Sequence, residues 1–141
     1  MPTTAVPIHN DRVLLRVTVA VPSERGDNES HEFDALVDTG AQCTMVSGAV
    51  VEQVGASLVG FLPFIPANGQ QQWTEVYELR VGVIISETGA DGSQTFSYSK
   101  TKLDPVLLLP FDPPDYDVLL GMNILSGYHI TMWDGRFVLS F

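Results

Sequence analysis

Cysteine and positive charge are scarce in this chain. Its one cysteine, Cys43, excludes a disulfide within the chain. No histidine or basic residue adjoins Cys43, so we expect a small buried residue rather than a nucleophile. Seven Lys and Arg residues stand against 17 Asp and Glu residues, which gives a formal net charge of −10. Because affinity for a phosphate backbone comes largely from basic side chains, we expect no nucleic-acid partner.

Histidine and long apolar runs are scarce as well. His9, His31 and His129 have no metal-ligand spacing, either with one another or with Cys43, so we predict no metal site and no cofactor. No apolar run approaches the roughly 20 residues that span a bilayer. The first residues also lack the basic and apolar blocks of a secretory signal. These absences predict no membrane span and favour a cytoplasmic location.

The chain does have enough apolar material for one core. Its residues are 45% hydrophobic and 17% charged, which is typical of a globular protein. A length of 141 residues is within the usual range of one domain, and the sequence contains no repeat or linker. We therefore predict a single domain over residues 1–141.

Alternating apolar and polar residues dominate the secondary-structure pattern and predict an all-β fold. The turn pairs Asn68-Gly69 and Asp134-Gly135 favour two-residue hairpin turns with positive φ angles. A polar loop at 22–31, in which Asn28-Glu29-Ser30 is interpreted as a turn, joins the first two strands. The predicted strands are 13–21, 32–37, 44–46, 77–85, 94–99, 106–109, 128–133 and 136–141, with a hairpin at 61–70 and short helices at 48–54 and 122–125.

The most informative stretch runs from Leu36 to Ala41, where an apolar strand leads directly into Asp38-Thr39-Gly40. This tripeptide alone is ordinary turn chemistry. It has a companion, however, in the stretch 116–121, which reads Tyr-Asp-Val-Leu-Leu-Gly and precedes the second helix. Hydrolysis of an amide by carboxylates needs two of them, one to take a proton and one to donate it. Because the chain supplies one Asp-Thr-Gly, a two-fold homodimer would have to supply the second.

Together the two stretches resemble the retropepsin-like aspartic peptidases, in which the Asp-Thr-Gly loop packs against an element ending in two apolar residues and a glycine. The resemblance spans residues 13–141, and the run 33–42 is similar to the retropepsin-like domain of the eukaryotic DNA-damage-inducible proteins. It implies a closed acid-protease barrel with one or two short helices, acting as a homodimeric aspartic endopeptidase on a peptide or protein. Met122 departs from the viral pattern, which has arginine after that glycine.

The resemblance also assigns roles to the catalytic loop. Asp38 is the catalytic carboxylate, and it shares one proton with its symmetry mate. The Thr39 hydroxyl bonds across the dimer, and the Gly40 amide donates to the carboxylate. Ala41 has no hydroxyl to stabilise the charged carboxylate, so we expect a less acidic pH optimum than that of an Ala41→Ser variant.

On the substrate side, the resemblance makes the hairpin at 61–70 a flap that closes over the peptide. Its tip, Ala67, Asn68 and Gly69, is then a substrate-binding element together with Ala41. Two alternatives stay open. The chain could be a catalytically silent domain that binds an extended segment as an added strand, or a peptidase acting only on itself or a parent polyprotein. A serine triad built on Ser47 is disfavoured because the sequence has no Gly-x-Ser-x-Gly elbow.

Overall fold

The computed structural model of the chain describes residues 3–22, 30–65, 67–88, 90–98 and 102–141. Most of the predicted loop at 22–31, with Asn28, lies outside the described residues, as does Pro66 of the predicted hairpin. The elements follow in the order β1 (Thr3–Pro7), β2 (Leu14–Ala20), β3 (His31–Val37), β4 (Met45–Val46), α1 (Gly48–Val54), β5 (Leu58–Phe64), β6 (Gln72–Thr88), β7 (Gln94–Tyr98), β8 (Lys102–Leu108), β9 (Val118–Leu120), α2 (Met122–Leu125), β10 (His129–Trp133) and β11 (Arg136–Ser140).

Six strands close into a barrel in the order β2-β3-β9-β4-β8-β6, with β6 pairing back onto β2. The strands β2 and β3 form the predicted hairpin, in antiparallel register from Leu14↔Leu36 to Val19↔His31. The pairings β3 with β9 and β4 with β8 are parallel. The parallel pairing of β3 with β9 places the end of β3 beside the end of β9. The all-β barrel with short helices is confirmed.

The barrel interior is filled by the alternating apolar residues that the sequence indicates. Along β6, the side chains of Leu79, Val81, Val83 and Ile85 are at most 1% exposed. The predicted buried run at 106–109 is confirmed at Val106, Leu107 and Leu109, whereas Leu108 is half-buried. One unbroken strand, β6, extends beyond this core at both ends, because it also pairs with β5 and β7.

Both helices are short, and their ends follow local capping rules. The helix α1 has the predicted bounds: the Ser47 hydroxyl accepts a hydrogen bond from the Val50 amide at 3.4 Å, and Gly55 ends the helix with φ of 70°. The helix α2 begins at Met122, directly after Gly121. Among the residues described, neither helix approaches the length and apolarity that crossing a membrane requires.

A second, three-stranded sheet in the order β1-β11-β10 packs beside the barrel. The hairpin of β10 and β11 turns at Asp134-Gly135 with φ angles of 50° and 72°, so that predicted turn is confirmed. The strand β1 was not predicted, because five residues ending in Pro7 give too short an alternation to recognise. It pairs with β11 from Thr3↔Ser140 to Pro7↔Arg136.

Candidate active site

Asp38 stands at the end of β3, in a turn that its own side chain helps to hold. The Asp38 amide donates to the Leu120 carbonyl at 3.0 Å, which continues the pairing of β3 with β9 by one residue. The Gly40 amide donates to Asp38 Oδ1 at 2.9 Å, as the sequence analysis expects. The Ala41 amide donates to the Asp38 carbonyl at 3.2 Å. Asp38 and Ala41 are half-buried, whereas Thr39 and Gly40 are exposed, so the carboxylate is fixed and still reachable.

Gly121 is the residue that lets this loop sit against β9. A Cβ at Gly121 would lie 2.5 Å from the carbonyl carbon of Cys43 and 2.6 Å from its oxygen. Real side chains do not approach a backbone so closely, so glycine is required for packing here. The Gly121 amide also donates to Thr44 Oγ1 at 3.0 Å. The predicted contact between the Leu-Leu-Gly element and the Asp38 loop is therefore a backbone-to-backbone contact.

The first turn of α2 forms backbone hydrogen bonds to the Asp38 loop. The Met122 amide donates to the Ala41 carbonyl at 2.8 Å, and the Asn123 amide donates to the Gln42 carbonyl at 3.1 Å. These amides belong to the first turn of a helix, where backbone donors have no partner within the helix. The loop carbonyls thus satisfy donors that would otherwise need water or a side chain.

Asn123 makes the central side-chain contact below the loop, a role that was not predicted from the sequence. Asn123 Oδ1 accepts from the Thr44 amide at 2.9 Å and from the Thr44 hydroxyl at 2.8 Å. Asn123 Nδ2 donates to Asp104 Oδ2 at 3.3 Å. The available signal was its position next to Met122, the residue that stands where the viral pattern has arginine. An amide, with one acceptor and one donor end, here links the loop to β8.

Lys102 completes this cluster of side chains from β8. Its ammonium group lies 3.0 Å from Asp104 Oδ2 and donates to the Asn123 carbonyl at 2.8 Å. The Asp104 side chain is 17% exposed, so its charge is partly desolvated and its two partners matter more than they would at the surface. The cluster of Thr44, Asn123, Asp104 and Lys102 therefore holds the Asp38 loop against the barrel wall.

The predicted hairpin at 61–70 exists, but its turn differs from the prediction. The last pair of β5 and β6 is Phe64↔Gln72, so the connection covers residues 65–71 rather than two residues. Gly69 has φ of 78°, whereas Asn68 does not have a positive φ. Asn68 instead accepts from the Gln70 amide through Oδ1 at 3.0 Å, an Asx-type turn that replaces the predicted two-residue turn.

Ala67, Asn68 and Gly69 are all exposed at this tip, as a substrate-contacting element requires. Within the described part of the chain, no hydrogen bond joins these three residues to the Asp38 loop. The structure therefore brings Asp38, Thr39, Gly40 and Ala41 together in one loop. The role of the tip stays a prediction.

The hairpin presents large apolar side chains that the sequence analysis did not single out. Alternate residues of a strand share a face, and directly opposed residues of an antiparallel pair share it too. Trp73 is therefore on the same face of β6 as the core residue Tyr77, and its partner Pro63 is on that face as well. Phe61 shares it through its pairing with Glu75. We call Phe61, Pro63 and Trp73 the apolar hairpin face.

This face continues the inner face of the barrel, yet it is open to solvent. Phe61 is 58% exposed and Trp73 is 69% exposed. At its inner end, the Tyr77 hydroxyl donates to Glu75 Oε2 at 2.6 Å. This hydrogen bond, aided by burial, raises the pKa of Tyr77 to about 12. The Tyr77 hydroxyl therefore stays protonated, and remains a donor to Glu75, throughout the range in which proteins are ordinarily active.

Two further predictions concern residues near the loop. Cys43 is exposed, so the expectation of a buried residue is wrong. The reason is that the loop packs on Gly121 through the backbone of Cys43, which leaves the side chain at the surface. Ser47 donates to Asp117 Oδ1 at 3.2 Å and caps α1, so its hydroxyl has a structural role. Among the described residues, no three His, Cys, Asp or Glu side chains are grouped to hold a metal ion.

Comparisons with known proteins rest on structure alone, because no family model and no curated protein matches the sequence. A retropepsin-like aspartic protease from Rickettsia conorii superposes with a TM-score of 0.62 at 17% identity, over 97% of this chain and 89% of that one. The foamy viral protease-reverse transcriptase aligns at 20% identity with a TM-score of 0.47, over 86% of this chain and 13% of that one. The retroviral protease-like domain of Ddi1 from Leishmania major aligns at 14% identity with a TM-score of 0.39, over 84% and 80%.

The superposition on the Rickettsia conorii protease covers nearly the whole of both chains, so it compares complete folds rather than a shared fragment. The 97% of this chain that superposes is large enough to include the six-stranded barrel and the two short helices described above. The chain therefore has the fold of the retropepsin-like aspartic proteases, as the resemblance in its sequence implies.

Proposed function

We propose that the chain is an aspartic endopeptidase that acts as a homodimer, with Asp38 of both copies in one active site. The observation that best supports this is the Asp38 loop itself. Its carboxylate accepts a hydrogen bond from the Gly40 amide at 2.9 Å and stays half-exposed, while the backbone around it is bound to β9 and α2. A carboxylate oriented before substrate arrives loses little free energy to reorganisation during the reaction.

The chemistry follows from placing two such carboxylates on a two-fold axis. Two carboxyl groups about 3 Å apart cannot both ionise cheaply, so the pair shares one proton. The charged member takes a proton from water, and the water oxygen attacks the scissile carbonyl carbon. The protonated member donates its proton to the carbonyl oxygen. In the tetrahedral intermediate, the carboxyl group that took the proton of water gives it to the amine nitrogen as the C–N bond breaks. The other carboxylate takes a proton from one hydroxyl of the intermediate, which restores the shared proton, and no covalent acyl-enzyme forms.

Supporting roles fall to the residues beside Asp38. The Thr39 hydroxyl, exposed on this chain, is free to bond to the loop of the second copy. Ala41 flanks the reacting groups. The hairpin tip, Ala67, Asn68 and Gly69, would close over an extended peptide and hold its backbone, with the apolar hairpin face beside it. A peptide or an unfolded protein segment is the proposed substrate.

The test is cleavage of an unfolded protein by the wild type and by Asp38→Asn, from about pH 3.5 to 7.5, the range in which shared-proton carboxyl pairs titrate. The amide keeps the size of the side chain and removes its charge. We expect fragments from the wild type and none from Asp38→Asn. Glu52→Asn, which removes one exposed carboxylate from α1, is the control and should cut like the wild type.

The outcomes decide between an aspartic endopeptidase and a catalytically silent domain. Cleavage that survives in Asp38→Asn contradicts the aspartic mechanism. If neither protein cuts although the wild type is shown to be dimeric, the chain is a silent domain. Binding of an extended peptide without cleavage would then support the peptide-binding alternative.

A further inference from the structure

The apolar hairpin face includes an acidic residue, Glu75. Glu75 lies directly opposite Phe61 of β5, and along β6 it is two residues from both Trp73 and Tyr77. Opposed residues of an antiparallel pair, and alternate residues of one strand, share a face. The Glu75 side chain is half-buried on this face. The surface that is proposed to cover a peptide therefore presents a carboxylate among aromatic rings.

The Glu75 carboxylate is oriented by its neighbour in the strand. The Tyr77 hydroxyl donates to Glu75 Oε2 at 2.6 Å, and Tyr77 is itself 6% exposed and part of the core. A hydrogen bond to a charged acceptor is stronger than one between neutral groups. Because the raised pKa of about 12 keeps Tyr77 protonated, the donor is neutral and leaves the charge of the carboxylate in place. The hydroxyl thus holds the carboxylate in position without neutralising it.

No cation of the described residues lies within ion-pair distance of Glu75. The ion pairs found in this part of the chain are elsewhere, and they join Arg12 to Asp115, Arg16 to Glu32 and Asp34, and Lys102 to Asp104. Opposite charges attract one another more strongly where water is partly excluded. A half-buried carboxylate in a cleft that closes over a ligand therefore favours a ligand that brings a positive charge.

The surroundings of Glu75 fit the side chain of lysine or arginine. These side chains have a long apolar stem that packs on apolar surface while the charged end reaches a polar partner. Phe61 and Trp73, both more than half exposed, supply that surface on either side of Glu75. Aromatic rings also attract a cation held over their faces. An uncharged apolar side chain would instead remove water from the carboxylate and give it no partner.

We propose that Glu75 is a specificity-determining residue, which binds a lysine or arginine side chain of the peptide substrate. This inference rests on the proposed function, which places the peptide under the hairpin. Because the proposed enzyme is two-fold symmetric, each copy contributes one Glu75, and the two lie on opposite sides of the scissile bond. The preferred substrate is a peptide with a basic residue at a fixed distance from the scissile bond, on either side of it.

The net charge of the chain requires a control, because a charge of −10 attracts basic peptides without any specific contact. Glu78 supplies that control. It lies three residues further along β6, on the opposite face, and is exposed. Glu78→Gln and Glu75→Gln remove the same charge from the same strand. The glutamine at position 75 also keeps an oxygen that can accept from the Tyr77 hydroxyl, so the face keeps its geometry.

The first test is digestion of casein, an unfolded protein, followed by mass spectrometry of the fragments. We expect the wild type and Glu78→Gln to cut where lysine or arginine occupies a fixed position near the scissile bond. In Glu75→Gln this enrichment should disappear while cleavage continues. In Glu75→Lys, which reverses the charge, aspartate and glutamate should be enriched at that position instead.

The second test measures binding without cleavage, in the Asp38→Asn background. Three dye-labelled decapeptides of uncharged residues differ only in one central residue, which is lysine, arginine or norleucine. Fluorescence anisotropy should show that the lysine or the arginine peptide binds about tenfold more tightly than the norleucine peptide, equal to 1.4 kcal/mol. Adding Glu75→Gln should reduce this ratio to about one, whereas adding Glu78→Gln should leave it unchanged. Salt should lower the ratio as well.

The outcomes separate this inference from the proposed function. Cleavage that depends on Asp38 but has no basic preference overturns the inference and leaves the function standing. A basic preference that Glu75→Gln retains, or that Glu78→Gln abolishes equally, overturns the inference too. Conversely, a wild type that never cuts, but whose preference for the lysine or arginine peptide depends on Glu75, supports the binding site and contradicts the peptidase.

Discussion

The loop of Asp38 and the hairpin of β5 and β6 are built in opposite ways. The loop is bound on both sides by backbone hydrogen bonds to β9 and α2, and one amide side chain, Asn123, joins it to β8. The hairpin leaves Phe61 and Trp73 more than half exposed and closes its tip with a local bond from Gln70 to Asn68. Chemistry needs a carboxylate in a fixed place, whereas contact with substrate needs free surface. The contrast predicts that mutations in the loop change stability and turnover, and that mutations in the hairpin change substrate binding.

The largest effect should come from Gly121→Ala. The new Cβ would lie 2.5 Å from the carbonyl carbon of Cys43, so backbone has to move and the loop has to shift with it. We expect the free energy of unfolding to fall by about 1–3 kcal/mol, the usual cost of overpacking, and cleavage to be lost. Urea denaturation measures the first and the protein-cleavage assay the second.

Gly127→Ala is the matched control, because a Cβ there meets the Ile124 carbonyl oxygen at an ordinary 3.5 Å. Its stability should stay within about 0.5 kcal/mol of the wild type. Equal losses in the two variants would show that the close approach at Gly121 has no special cost.

The second largest effect should come from Asn123→Ala below the Asp38 loop, compared with Asn68→Ala in the hairpin. Asn123→Ala removes the acceptor of the Thr44 amide and hydroxyl, and a buried donor left without a partner costs about 1–3 kcal/mol. Asn68→Ala removes one exposed turn bond and should cost no more than about 0.5 kcal/mol. Thermal unfolding of both variants measures the difference. At a temperature where Asn123→Ala is folded, kcat should fall with KM little changed. A rise in KM alone would instead place Asn123 in substrate binding.

How much of this site could be predicted depends on how far apart in the sequence the interacting residues are. Asp38-Thr39-Gly40 and Gly121 are local signatures, since a turn and a close approach each require particular residues. The helix 48–54 was predicted to the residue from the glycines that bound it, Gly48 and Gly55, because the residues that end it are local. The strand β1 was missed because its evidence is its pairing with β11, and that partner is more than a hundred residues away in the chain.

The same argument explains the side chains that were missed. Asn123 is an ordinary polar residue in sequence, and its role depends on Thr44 and Asp104, which three separate elements bring together. The exposure of Cys43 depends on which side of the loop packs on Gly121. At Asn68-Gly69 the rule that favours a two-residue turn does not hold, because the hydrogen bond from the Gln70 amide to Asn68 Oδ1 holds a different turn. Apart from this turn, the conformation was predictable from sequence where one segment decides it, and was not where several segments do.

A smaller effect, confined to binding, should come from Trp73→Ala on the hairpin. Because Trp73 is 69% exposed, its removal should leave the melting temperature nearly unchanged. If the hairpin covers the peptide, loss of that apolar contact should raise KM by about tenfold, equal to 1.4 kcal/mol of binding. Phe111→Ala removes another exposed aromatic residue, 54% exposed and outside the hairpin, and should alter neither quantity. An unchanged KM in Trp73→Ala would separate the hairpin from the substrate.

The smallest effect tests the chemistry of the loop without disturbing its structure. In Ala41→Ser a hydroxyl beside the turn can donate to Asp38, and a donor to the charged carboxylate favours the ionised form. Activity should then persist to lower pH, so the acid limb of the kcat/KM profile should move down by about half a unit to one unit. Ala41→Cys adds an atom at the same position with only a weak donor, and its profile should stay close to that of the wild type. An upward shift in Ala41→Ser would mean that the hydroxyl bonds elsewhere, and that residue 41 does not tune the carboxylate.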